Sequence, residues 1–233
     1  MTTATHELTS DVRAADYPLA RWYLRPLAGA LAEALAPTRV RPWHVTCLGC
    51  CLGLTAALLI ATQAAPTIVA ALFVLLAWLC DRTDGQLARR QQTTSAFGAW
   101  LDANVDELLD VAWHVAMAFV VTQQLGVTWG FALLTAFLGG KYLFMYGLSV
   151  EPASTLAADS DQSSIRSSSL LRLLYHAPAN ADIRVHLLIA ALATGWLAAE
   201  LIAVAAYYNL RWIVRYALVA RRLTTAPSGG GHA

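Results

Sequence analysis

Six apolar runs, each near the length that crosses a bilayer, are packed into 233 residues, and this more than anything limits what the chain can fold into. A spanning helix needs about 20 mostly apolar residues. The runs cover residues 43–62, 66–80, 97–121, 127–150, 184–199 and 201–218. The second is short, but its helix can continue through the polar residues after Cys80. The last two divide one long apolar stretch near residues 195–200. Hydrophobic residues make up 58% of the chain and charged residues 13%, with mean hydropathy +0.51. Soluble domains carry roughly 25% charged residues. So much apolar surface has no place in water, and the expected fold is an all-α integral membrane protein with six transmembrane helices.

The short turns at residues 63–65, 122–126 and 195–200 contain no Lys or Arg, so the 16 basic residues gather on the opposite side. The positive-inside bias makes that side cytoplasmic and puts both termini there. Ahead of the first run, residues 17–36 interleave aromatics and leucines with Arg21 and Arg25, the pattern of an amphipathic helix lying in the membrane interface. Residues 17–222 then form one membrane domain, between a flexible N-terminus (1–16) and a flexible tail (223–233). Residues 151–183 read as a long cytoplasmic connection, in which the apolar run at 170–175 is a candidate second interfacial helix. Residues 1–15 lack the apolar core of a cleaved signal peptide. A net charge of +1 gives no reason to expect nucleic acid as a partner. Cys47, Cys50, Cys51 and Cys80 lie in apolar stretches with no second Cys pair, and read as packing residues.

Charged side chains inside membrane helices cost on the order of a few kcal/mol each, so they mark function. Here they cluster where the second and third runs meet, in CDRTDGQLARRQQTTSAFGAWLDANVDELLD. Asp81 and Asp84 are three residues apart, and Asp102 and Asp106 are four apart. Each spacing puts a pair on one helix face, with Cβ atoms about 5–6 Å apart. A polar stretch at 90–95 can turn the chain so that the two carboxylate faces meet. Four clustered carboxylates repel unless cations neutralise them, and an all-oxygen ligand set selects Mg²⁺, Mn²⁺ or Ca²⁺. Such a cation suits a pyrophosphate, whose oxygens it bridges. Gly85, Ala88 and Gly98 leave space for a nucleotide against the backbone, and Arg89 offers a charge-assisted contact to phosphate.

Asp81-x2-Asp84-Gly85-x2-Ala88-Arg89-x8-Gly98-x3-Asp102-x3-Asp106 resembles, at every fixed position, the signature of the class I CDP-alcohol phosphatidyltransferase family. The six-run layout extends the likeness over residues 17–222. The resemblance implies a membrane transferase of phospholipid biosynthesis, in which Asp81, Asp84, Asp102 and Asp106 hold two divalent cations, Mg²⁺ or Mn²⁺. It assigns Gly85, Arg89 and Ser95 to the CDP portion of the donor, with Ala88 and Gly98 giving it room. Asp106 doubles as general base toward the acceptor hydroxyl, and CMP leaves. Arg41, Pro42, Trp43 and His44 match a segment that the family places at the nucleotide, although Trp43 stands where many members have Asn or Asp. CDP-diacylglycerol is the expected donor, and a homodimer the expected assembly.

The acceptor is less defined. Phosphatidylinositol-phosphate synthases resemble the chain around Gly98–Asp102 but carry Arg where this chain has Glu107, and the Ser-Phe-Gly that follows the last aspartate of phosphatidylserine synthases is absent. Lys141 (the one lysine), Arg184 and Arg211 are candidate acceptor contacts, and together they suit an alcohol with its own phosphate. Snorkelling to the interface is the alternative for these cations. Asp110 extends the Asp102–Asp106 face by one more turn, with no assigned role. Two other functions compete: a CDP-aminoalcohol (choline or ethanolamine type) transferase acting on a lipid alcohol, and a divalent-cation transporter. Transporters often carry inverted repeats and broken helices, and neither is visible here.

Overall fold

A computed structural model describes residues 20–150 and 181–225. The expected flexible ends and most of the 151–183 connection lie outside these residues. Among the described residues the chain is helical, without strands. A π-helical turn, Ala20–Leu24, leads into α1 (Arg25–Leu35), followed by α2 (Pro42–Thr62), α3 (Thr67–Arg90), α4 (Ala96–Leu125), α5 (Val127–Val150), α6 (Ala181–Thr194) and α7 (Leu197–Thr225). Three of these are long and apolar enough to cross a membrane by length and composition: Pro42–Thr62, Val127–Val150 and Leu197–Thr224. The other apolar runs fall short of that mark for a legible reason. α3 and α4 spend part of their length on the aspartates and arginines of the polar cluster, and Ile183–Thr194 is short.

The local signals fix most helix ends. Pro42 occupies the first turn of α2, where its missing N–H costs nothing. Ser95 caps α4, its Oγ accepting from the Gly98 N–H at 3.0 Å. One boundary differs from the sequence reading, which carried the fifth run to residue 199. The structure ends α6 at Thr194 and turns at Gly195, whose φ of +79° suits glycine and stops a helix. Glu200 therefore sits in the first turn of α7, buried at 7% exposure, instead of in a loop.

α2 packs on both α3 and α4, α6 lies on α3, and α7 packs against α5 and α4. Small residues bring the first three together. A Cβ on Gly49 would come within 2.9 Å of the Cys80 Cβ, and one on Gly53 within 2.5 Å of the Leu109 side chain. Such close backbone approach is how helices associate where lipid removes the hydrophobic drive between them. Trp113 Nε1 donates to the Gly53 carbonyl at 2.9 Å and locks the α2–α4 crossing. Gly53→Val is expected to lower stability by about 1–3 kcal/mol through overpacking, read as a lower thermal midpoint in detergent. An unchanged midpoint would show that the crossing has slack. The interior is rich in Ala and Val, whereas Leu58, Leu72, Phe119, Phe131 and Ile213 face outward.

Candidate metal centre and flanking cavities

The α3–α4 turn sets the site. The Gln91 and Thr93 N–H groups close α3 onto the Leu87 and Ala88 carbonyls, Gln92 takes a φ of +55°, and Ser95 starts α4. The two helices bring three of the four aspartates together: one carboxylate oxygen from each of Asp81, Asp102 and Asp106 lies within 4.8 Å of the others. Hard divalent cations take oxygen ligands at about 2.0–2.6 Å, so the donor set and its spacing fit such an ion. Arg82 Nε is 3.5 Å from Asp81 Oδ2, and its guanidinium lies 4.5 Å from the centre of the Trp78 ring. The fourth aspartate stands apart from this trio. Asp84 is 4% exposed and accepts a 2.5 Å hydrogen bond from Thr46 Oγ1 on α2.

Two cavities meet at these carboxylates, and Thr46, Asp84 and Asp102 line both. The first, at the α3–α4 turn, encloses about 390 Å³. Its walls include Gly85, Ala88, Arg89, Ser95 and Gly98 from the aspartate segment, and Arg41, Pro42 and Trp43 from the start of α2. Gly85 is not required by protein packing: an added Cβ would meet only the Arg89 guanidinium, at 3.5 Å. Its bare backbone faces the cavity instead. At Gly98 a Cβ would meet only the Ser95 hydroxyl, at 3.3 Å. His44 is not part of this lining. Its Nδ1 accepts from the Arg41 backbone N–H at 3.0 Å, so the ring folds back to hold the start of α2, with the Trp43 ring 3.8 Å away.

The second cavity runs along the helices away from the turn. It encloses about 60 Å³ and passes from Asp81 and Asp106 to Asp110, His114 and Arg184 between apolar walls. Of the three cations expected at an acceptor, only Arg184 lines it. Lys141 is buried at 6% exposure, with Nζ 2.8 Å from Glu107 Oε1 and in contact with Asp110 Oδ2. Arg211 donates to the Tyr207 hydroxyl at 2.6 Å and covers the Phe144 ring at 4.3 Å. Asp110, left without a role by the sequence, joins Lys141 to His114.

Sequence reading passed over Trp78, His114 and Glu200, and had Thr46 only as the end of the segment that starts at Arg41. Thr46 and Trp78 carry no signal of their own, since both are common in apolar helices. His114 and Glu200 did carry one, being ionisable residues within apolar runs. The structure pairs them, His114 Nε2 lying 3.4 Å from Glu200 Oε1, with the imidazole stacked on Phe137 at 4.2 Å.

Among known proteins, the family model described as CDP-alcohol phosphatidyltransferase matches residues 39–219, most of the chain and all of both cavities. A search of the curated proteins finds no match.

Proposed function

The chain belongs to the CDP-alcohol phosphatidyltransferase family, transferases that move a phosphate-linked group from a CDP-alcohol, and on that premise we propose that it transfers a phosphatidyl group from CDP-diacylglycerol to the hydroxyl of a polar alcohol, releasing CMP. The observation that carries this reading is the position of the carboxylates, which stand where a nucleotide-sized cavity meets a smaller one. Asp81, Asp84, Asp102 and Asp106 would hold two divalent cations, Mg²⁺ or Mn²⁺. When bound, these supply charge neutralisation to the pyrophosphate and its leaving group.

The remaining chemistry belongs to the side chains. Gly85, Ala88 and Gly98 leave the wall of the larger cavity low, so the CDP portion lies against backbone. Arg89 and Arg41 bring guanidinium groups to its phosphates, and Pro42, Trp43 and Ser95 close the rim. His44 contributes by holding the start of α2. Asp106 borders the smaller cavity, where it takes the proton of the acceptor hydroxyl. The alcohol oxygen then bonds to the β-phosphorus, and the phosphorus–oxygen bond to CMP breaks with its electron pair leaving on CMP. Arg184 flanks the acceptor; Lys141 and Arg211 act behind it.

In the membrane reading α2 to α7 all cross the bilayer, with the site and both termini cytoplasmic. Exposed Trp43 and Trp100 near one end of the bundle, and Trp129 and Trp196 near the other, support two interfacial belts. α1 and the turn before it then lie in the cytoplasmic interface, with Ala28 and Ala32 buried and Trp22, Leu27 and Leu31 outward.

Purified protein with Mg²⁺ or Mn²⁺, CDP-diacylglycerol and a panel of polar alcohols should release CMP. CMP formed only from CDP-choline or CDP-ethanolamine with diacylglycerol would reassign the donor. Silence with every pair, from folded protein, would overturn the transferase reading.

A further inference from the structure

Gln91, the residue that caps α3, joins two segments that line the larger cavity, although it is not part of the lining. Its Nε2 donates to the Val40 carbonyl at 2.9 Å and to the Ala36 carbonyl at 3.4 Å. Val40 precedes Arg41, Pro42 and Trp43 on the rim of that cavity. Arg89, two residues before Gln91, lines the same cavity. We propose that Gln91 is a positioning residue for the CDP donor, which sets the separation of Arg41 and Arg89 and so the fit of the cavity to a pyrophosphate. This rests on the transferase reading above and adds to it a residue that touches no substrate.

A single peptide group is held from both sides. The carbonyl of Val40 and the N–H of Arg41 belong to one planar unit. Gln91 donates to the carbonyl, and His44 Nδ1 accepts from the N–H at 3.0 Å. Arg41 is the extended residue that opens α2, with φ −96° and ψ 154°. Rotation of the peptide plane changes φ at Arg41 and swings its side chain, and two anchors oppose that rotation. At the other end of the contact, the Gln91 N–H closes on the Leu87 carbonyl at 2.9 Å. The carboxamide is thereby tied to the same turn of α3 as Arg89.

Other contacts already attach α1 to α3. Gln86 donates to the Arg25 carbonyl at 3.4 Å and Arg90 to the Gly29 carbonyl, while Ala32, Val45 and Leu87 form a small buried core. Gln91 instead reaches past α1 to the residue before the cavity rim. It does so at a cost. Both carbonyls only accept, so the amino end of the carboxamide faces them, and Oε1 is left buried without a hydrogen bond. A buried acceptor left unmade destabilises a fold. A residue that served only to end α3 would turn this oxygen to water.

Gln91→Met and Gln91→Glu keep the length of the side chain and remove its N–H donors. They are compared with Arg41→Met and the double variant Arg41→Met/Gln91→Met. The assay is CMP release from CDP-diacylglycerol in mixed micelles, with the alcohol of the panel above that supports most turnover. Each Gln91 variant should raise KM for the donor about tenfold or more, with kcat and the KM of the alcohol within about twofold. Equilibrium binding of CDP in the presence of Mg²⁺ should weaken by the same factor, a readout that needs no turnover. Loss of packing alone lowers the folded, active fraction, so kcat falls while the donor KM stays, and that result would overturn the proposal. Arg41→Met should also raise the donor KM, and Gln91→Met added to it should raise it by less than about twofold more, since the contact it positions is gone. Full additivity would overturn the proposal, as would an unchanged donor KM in Arg41→Met. If wild-type protein binds CDP yet releases no CMP with any alcohol, the transferase reading fails, and weaker CDP binding by the Gln91 variants still upholds the positioning role.

Discussion

Asp106→Asn should reduce CMP release by a factor on the order of 10²–10⁴, the usual contribution of a general base, while binding of the CDP donor persists. The geometry separates these two effects. Asp106 borders only the smaller cavity, whereas Asp84 and Asp102 line both. Asparagine keeps an oxygen that can face a cation but cannot take up the acceptor proton. Single-turnover CMP release measures the chemical step, and equilibrium binding of a CDP-diacylglycerol analogue measures the donor. Near-normal turnover would remove Asp106 as base. Loss of donor binding together with turnover would make it a cation ligand first.

Removal of divalent metal should abolish turnover and also lower stability. Three carboxylate oxygens held within 4.8 Å of one another in a partly buried site repel when nothing lies between them. A cation that binds the folded state alone stabilises it by about 2.7 kcal/mol at a hundredfold excess over its dissociation constant. Chelator-treated protein should therefore show a lower thermal midpoint in detergent, restored by Mg²⁺ or Mn²⁺ in step with activity. Asp102→Asn should raise the midpoint of the metal-free protein and blunt the response to added metal. A wild-type midpoint that ignores both ions would argue that the carboxylates hold no cation.

The aspartate cluster was legible in the sequence because its spacing and its cost agree: charges at three- and four-residue intervals in apolar runs have few other uses. The cavity beside it was legible too, through Gly85, Ala88 and Gly98, since small residues there leave a wall without side chains. Asp84 was not separable from its three companions, because its contact with Thr46 joins residues 38 positions apart. The same limit applied to the cations. Lys141, Arg184 and Arg211 look alike as isolated charges in apolar runs, and only packing shows that one faces the cavity, one is tied by two carboxylates and one covers an aromatic ring. The α6–α7 turn was legible to within the 195–200 window, and the structure narrows it to Gly195 and puts Glu200 in the first turn of α7.

Val105, Leu109, Val185 and Leu188 form much of the wall of the smaller cavity. Water is itself a nucleophile toward phosphorus, and in the proposed reaction any that reached Asp106 in place of the alcohol would convert CDP-diacylglycerol into phosphatidic acid and CMP. A narrow greasy wall leaves few places for such a rival once the alcohol is seated. In that reaction the packing of these four residues would set the ratio of synthesis to waste, a fidelity that a rate constant alone would not reveal.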